Sequence, residues 1–250
     1  MALARTKKSN ATWETIRTIV YAVVIALVVR TVAFEPFTIP SGSMIPTLLI
    51  GDYLFVSKYS YGYSRYSLPF GLELFHGRLF GHDPQRGDVI VFKKPTGDHE
   101  DYIKRLIGLP GDRIQMIHGE LFINGQQVPR RQTDDYVERD ADGGTSRTSE
   151  YIETLPGGVE HPILRRPGTD DGPANNTVEY VVPPDHFFMM GDNRDDSLDS
   201  RFLGVVGYVP SENLVGRAEF IFFSADHAAL WEIWKWPWHL RWRRLLSGIH

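Results

Sequence analysis

Cysteine is absent from this 250-residue chain. That excludes disulfides, thiolate metal sites and a cysteine nucleophile. It leaves the compartment open, because a chain without thiols tolerates oxidising and reducing surroundings alike. Strand–helix alternation is also missing, which argues against a parallel α/β sheet. No segment repeats. Neither His-Glu-x-x-His nor Ser-x-x-Lys occurs, so the zincin and penicillin-binding arrangements are removed. Long apolar runs are scarce: the uninterrupted one spans Ile19–Val29.

Positive charge is scarce in the body of the chain. Residues 1–35 carry five basic and two acidic groups, and residues 227–250 carry four basic and one acidic group, yet the formal net charge is −4. The middle is therefore strongly acidic. That argues against a basic, nucleic-acid-binding body, while basic ends suit contact with anionic lipid.

What is present begins with that apolar run. Eleven residues are too few to cross a bilayer. Extended to Ile16–Phe34, the stretch has 15 apolar residues in 19 and makes roughly 28 Å of helix. Arg17 and Arg30 near its ends can reach the headgroups. One transmembrane helix is expected over 15–34. Arg5, Lys7, Lys8 and Arg17 place the 1–14 tail on the cytoplasmic side and the body beyond the membrane. A buried core helix fits the same pattern. So does a cleaved signal peptide, with Thr31-Val32-Ala33 as its cleavage site.

After Pro36 the pattern is β. "DYLFVSKYSYG" and "RGDVIVFKKP" are β-branched and aromatic runs closed by turn residues. Pro110-Gly111 suits a type II turn, and Asn124-Gly125 predicts a hairpin. The stretch from about Arg130 to Asn176 is polar and heavily punctuated by turns. Strand signals return at "TVEYVVPP", "HFFMMGD" and "RAEFIFFS". The expected fold is mainly β, an antiparallel sheet core over 35–115 and 178–224. A β/loop insert over 116–177 interrupts it. The tail 225–250 holds five of the six tryptophans with Arg241, Arg243 and Arg244 among them, and reads as a segment on the membrane surface. A core-packing terminal helix is the alternative.

A serine attacks only when a base removes its proton. The turn "PSGSM" at 40–44 holds Ser41 and Ser43 just beyond the apolar helix. It is not a nucleophile elbow, since positions 41 and 45 are Ser and Ile. None of the nine histidines has a telling spacing. "GDNRDDSLDSR" lacks the central Gly and final Glu of a calcium loop. Lys104 in "YIKR" remains as a base, if apolar neighbours on its strand lower its pKa. By pattern alone it reads as a solvated strand lysine, since most lysines on strands point at water.

"EPFTIPSGSMIPTLLIGD", "RGDVIVF", "DYIKRLIGLPGD" and "GDNRDDSLDSRFLG" follow one another in that order. Together they resemble the successive boxes of the bacterial type I signal peptidases, over the apolar segment and most of 34–115 and 178–217. The 130–176 stretch matches weakly, and Asp196 stands where the family often has Asn.

The resemblance implies a membrane-bound serine endopeptidase with Ser43 as nucleophile and Lys104 as general base. Ser41 would donate to the oxyanion, and Ser197 would hydrogen-bond and orient Lys104. Arg105, Asp192, Asp199 and Arg201 would support the site as charged groups, with Asp192–Arg105 a pair. Phe37, Ile39, Pro40, Met44, Leu48, Leu54, Val91, Tyr102 and Ile103 would bind the substrate. Ordinary core packing is the alternative for these, most evenly balanced at Leu54 and Val91. The implied substrates are preprotein signal peptides ending in a small-x-small pattern. The implied location is the inner membrane, with the catalytic domain on its extracytoplasmic face. No metal or cofactor is implied, and no oligomeric state. Two alternatives are a dedicated maturation peptidase of a conjugation or pilus system and a non-catalytic, membrane-anchored β binding module.

Overall fold

The computed structural model describes residues 9–67, 77–139, 144–226, 231–234 and 236–250. Arg5, Lys7, Lys8 and the turn residues 140–143 lie outside the described residues.

The apolar segment forms helix α1, Ser9–Val32, longer at its start and shorter at its end than the expected 15–34. Its Thr12–Val32 window is long and apolar enough to cross a membrane, and none of it is buried against the body. The helix end is tied down. Arg30 and Lys58 both pair with Glu35, at 2.7 and 2.8 Å, and Lys58 N–H donates to Ala33 O.

Strands β1 (Phe34–Thr38), β2 (Asp52–Ser57), β3 (Val89–Lys93) and β4 (Asp101–Gly108) follow. The short strands β5 (Arg113–Ile117), β6 (Glu120–Ile123), β7 (Gln126–Gln127), β8 (Arg130–Gln132) and β9 (Tyr136–Arg139) come next. The chain continues through β10 (Thr145–Thr154), β11 (Glu160–Arg165), β12 (Tyr180–Val181) and β13 (His186–Met190). It ends with β14 (Val209–Pro210), β15 (Leu214–Ser224) and β16 (Ser247–Gly248). The strand pairings are antiparallel throughout the named strands. The main sheet runs β1-β2-β15-β3-β4-β13-β14, with β16 on β15. The expected mainly antiparallel β class is what the chain adopts.

The sheet's centre is apolar on both faces, which is why "VIVF" in β3 reads as an unbroken run. Val89 and Val91 face one core with Ile39, Met44, Leu48 and Leu54. Ile90 and Phe92 face another with Leu106, Phe187 and Met189. A second sheet, β12-β5-β6-β7, packs Ile114, Met116, Leu121 and Ile123 around Phe188. Asn124 and Gly125 take positive φ, 55° and 78°, as the predicted hairpin turn between β6 and β7 requires.

The tail folds back on the body through a short helix at Trp236–His239, and β16 pairs with β15. Arg241 and Arg244 are occupied by the protein: Arg244 pairs with buried Asp52, and Arg241 with Asp226 at 3.0 Å. Trp231, Trp234, Trp238 and Trp242 remain exposed, whereas the Trp236 ring packs 5.0 Å from Phe223.

Candidate active site

The loop between β1 and β2 carries both serines, and its ends are closed by backbone bonds from Ile39 N–H to Asp52 O (2.9 Å) and from Gly51 N–H to Ile39 O (3.1 Å). Gly51 needs to be glycine: its φ is +87°, and a Cβ there would meet Ala225 O at 2.2 Å. Asp52 then acts as a buried staple, accepting from Leu49 N–H (2.8 Å) and Ser224 Oγ (2.6 Å) besides Arg244.

Ser43 is held from the opposite side by the turn after β13. Asn193 N–H donates to Ser43 O at 3.1 Å, and Asn193 Nδ2 to Gly42 O at 3.0 Å. On β4, Lys104 points into the same space. Its Nζ lies 2.7 Å from Ser43 Oγ and donates to Ile103 O at 2.9 Å. The lysine is only 4% exposed. Burial pushes its amine down to about 8, Asp199 and Asp192 pull it back up, and Arg201 lowers it. An amine at that value is neutral in about one molecule in ten at pH 7, and the fall represents about 3 kcal/mol of interaction with its surroundings.

Two buried ion pairs stand behind the amine. Arg105 meets Asp192 through two parallel bonds, Nε to Oδ1 at 2.9 Å and Nη2 to Oδ2 at 2.8 Å. Arg201 meets Asp199 in the same way at 2.9 and 2.8 Å. The expected Asp192–Arg105 pair is therefore formed. Asp199 also accepts from Gly191 N–H at 3.0 Å. Burial alone would raise the Asp199 carboxyl, but Arg201 and the Gly191 N–H hold it below its usual range.

The expected bond from Ser197 Oγ to Lys104 is not formed; the buried hydroxyl faces the Asp199 carboxylate and helps to hold it below its usual range. The amine's partners are the Ser43 hydroxyl and the Ile103 carbonyl instead.

Ser43 and Lys104 open into a cleft of about 850 Å³. Phe37, Ile39, Pro40, Val91, Tyr102 and Ile103 line it, together with Ser41 and Ser197. Met44, Leu48 and Leu54 do not. They are buried in the core beneath it, where Leu48 and Leu54 are fully enclosed. Ser41 is exposed at the cleft, next to the nucleophile loop's backbone.

Sequence reasoning missed Gly191, Asn193 and Thr47. Thr47 Oγ1 donates to Asp192 Oδ2 at 2.5 Å. The "GDN" start of "GDNRDDSLDSR" was the available signal, since Gly and Asn favour a tight turn. Among the described residues, no group of three or more His, Asp and Glu converges as metal ligands would.

A family model described as "Signal peptidase, peptidase S26" matches residues 12–223. The chain belongs to the signal peptidase family, peptidase S26. The family's relatives include signal peptidase I of Rickettsia typhi, 42% identical over 227 residues, 88% of this chain and 83% of the relative. Signal peptidase I of Rickettsia prowazekii is 43% identical over 212 residues, covering 82% of this chain and 77% of the relative. A solved signal peptidase I from Enterococcus faecalis is 26% identical, covers 54% of this chain and 97% of the solved one, and superposes with a TM-score of 0.32. That fit is too loose to compare architectures, so membership in the signal peptidase family rests on the sequence matches.

Proposed function

We propose that this chain is a membrane-anchored serine endopeptidase that removes signal peptides from exported preproteins after a small-x-small site. Membership in the signal peptidase family supports a peptidase that removes signal peptides. The observation that carries the finer reading is the 2.7 Å approach of Lys104 Nζ to Ser43 Oγ, both buried and both lining the same cleft.

Neutral Lys104 takes the Ser43 proton as Oγ attacks the scissile carbonyl carbon. The oxyanion forms beside Ser41 and the Ser43 N–H, which donates to no backbone acceptor among the described residues. One such donor is worth roughly 3 kcal/mol in the transition state. The lysine ammonium then protonates the leaving amine. Water activated by the neutral amine hydrolyses the serine ester and restores the hydroxyl. Asp192, Asp199, Arg105 and Arg201 act as scaffold, fixing β4 against the 191–201 turn.

An extended substrate lies along the cleft and reaches the apolar walls at Ile39, Val91 and Ile103. Limited room there excludes large side chains on steric grounds. Helix α1 anchors the body with the N-terminus on the cytoplasmic side, which sets Ser43 a short distance beyond the bilayer. The exposed tryptophans of the tail add a surface contact with anionic lipid, where Arg243 contributes charge while Arg241 and Arg244 serve the fold.

Cleavage of a purified preprotein in detergent by wild type, Ser43→Ala and Lys104→Ala tests the reading. Cleavage at the small-x-small site by wild type alone is the expected result. Substantial cleavage by either variant overturns the dyad.

A further inference from the structure

The chain carries the pattern it is proposed to cut. Thr31-Val32-Ala33 is small-x-small, and it stands at the end of an apolar helix, as the cleavable pattern of a signal peptide does. The Ala33–Phe34 bond follows directly on the Thr12–Val32 window that is long and apolar enough to span a membrane. A second copy in the same membrane carries its Ser43 just beyond its own helix. Sequence and height alone leave this bond open to attack.

The fold withholds it. A peptidase takes its substrate extended, with the scissile carbonyl free to enter the oxyanion site. Here the residues before the bond are wound up instead. Ala33 N–H donates to Val29 O at 2.8 Å and Thr31 Oγ1 to Leu27 O at 2.7 Å, so helical bonding runs up to the bond itself. The body takes the two carbonyls that follow. Tyr63 Oη donates to Val32 O at 2.6 Å, and Lys58 N–H to Ala33 O at 3.0 Å. Ala33 O is the oxygen on which negative charge would develop. On the far side of the bond, Phe34 enters β1 opposite Ser57 of β2.

A clasp crosses the bond. Arg30 donates to Glu35 Oε1 through Nε and Nη2, at 3.1 and 2.7 Å, while Lys58 Nζ holds Glu35 Oε2 at 2.8 Å. In an extended strand, residues 30 and 35 stand about 17 Å apart and on opposite faces. The Arg30–Glu35 contact and the cleavable conformation therefore exclude each other. The body's side of the junction is fixed in turn. Lys58 is buried and donates to Ser67 O at 2.9 Å, and Tyr63 is paired with Leu79 by two backbone bonds.

We infer that Ala33–Phe34 is a latent self-cleavage site, hydrolysed by a second copy of this chain when the junction opens, and that Glu35, Lys58 and Tyr63 keep it closed. The inference rests on the dyad reading above and names one substrate of that site. Ser43 Oγ of the attacking copy forms an ester with the Ala33 carbonyl carbon. The bond to Phe34 N breaks, and that nitrogen takes the lysine's proton. One water then hydrolyses the ester. The helix leaves with a carboxylate at Ala33, and the body leaves with a free amine at Phe34 and no anchor.

The test uses the full-length Ser43→Ala protein, which lacks the nucleophile, as substrate and wild type as enzyme, mixed in detergent. Loss of the intact chain is followed with time, and the N-terminus of the product is sequenced. Ser43→Ala should barely be cut. Adding Tyr63→Phe, which removes one hydrogen bond, should speed cleavage roughly fivefold. Adding Glu35→Gln as well, which also opens the clasp, should raise the gain above about tenfold, with Phe34 as the new N-terminus. Thermal melts show whether each substrate is folded, and if the triple variant is not, the Tyr63→Phe arm decides alone. Equal rates for closed and opened substrates, or cleavage at another bond, overturn the inference. The same wild-type preparation is also given a signal-bearing preprotein. Cleavage of the preprotein beside an untouched opened substrate removes only the self-cleavage site. Cleavage of neither removes the proposed function, and this inference with it.

Discussion

Gly191 and Ser197 meet with no room for a methyl group between them. A Cβ on Gly191 would lie 2.3 Å from Ser197 Oγ and 2.5 Å from Ser43 O. The second clash is with backbone, so it can be relieved only by moving the nucleophile's own loop. Gly191→Ala should therefore lower kcat by about a hundredfold or more, the scale expected when reacting groups are displaced by about 1 Å. The melting temperature should fall far less than the rate. Steady-state cleavage alongside a thermal melt checks this, and a near-normal kcat would show that the loop can shift freely.

Asp192 and Arg105 are both fully buried, so each depends on the other. Burial opposes the charge on Asp192, yet Arg105 and His161 hold its carboxyl well below the usual range. A carboxyl lowered on folding stabilises the folded state above its unfolded pKa, near 3.8, and loses that contribution as pH falls below it. Asp192→Asn should cost about 3–5 kcal/mol at pH 7, because it strands a buried guanidinium. Denaturant melts of wild type and variant at pH 7 and at about pH 2, below the unfolded pKa, check the size and the sign. A loss under 1 kcal/mol at pH 7 would mean that Arg105 finds another partner.

Asn193→Ala removes the Nδ2 bond to Gly42 O and keeps the N–H bond to Ser43 O. One lost hydrogen bond of about 1 kcal/mol corresponds to roughly a fivefold fall in kcat. KM should hold, because Asn193 is not among the residues lining the cleft. A rise in KM at constant kcat would assign Asn193 to substrate binding instead.

Ile103 and Val91 are cross-strand neighbours on β4 and β3, and both line the cleft. Ile103→Ala should admit larger side chains near the scissile bond. The expected readout is cleavage of preproteins carrying Val or Leu in place of a small residue, at rates the wild type does not reach. Unchanged discrimination would place the selecting wall elsewhere.

The parts of this molecule legible in the sequence are those coded locally or by a recognisable box. β-branched and aromatic runs closed by turn residues announced β2, β3, β4 and the Asn124–Gly125 hairpin. The boxes brought Ser43, Lys104 and the Asp192–Arg105 pair into one reading. Contacts between distant segments were not legible. Nothing local marks Gly191 as the residue that must lack a side chain, or His161 as the partner of Asp192. Both depend on how β11 and the turn after β13 meet. Arg244 reads as a lipid-binding cation among tryptophans, but the fold gives it to Asp52 across 192 residues of chain. Leu48 and Leu54 illustrate a finer limit. Apolarity shows that a residue avoids water, and only packing decides whether it lines a cleft or lies beneath one.

The uncharged form of buried Lys104 removes the Ser43 proton, and the pH dependence of kcat/KM tests this most directly. With the amine lowered to about 8, the rate should climb tenfold per pH unit below that value and level off above it. Lys104→Ala should abolish the rate at every pH while the protein stays folded. An acid limb near 10.5, the ordinary value for a lysine, or a Lys104→Ala protein that still cleaves, would contradict the account.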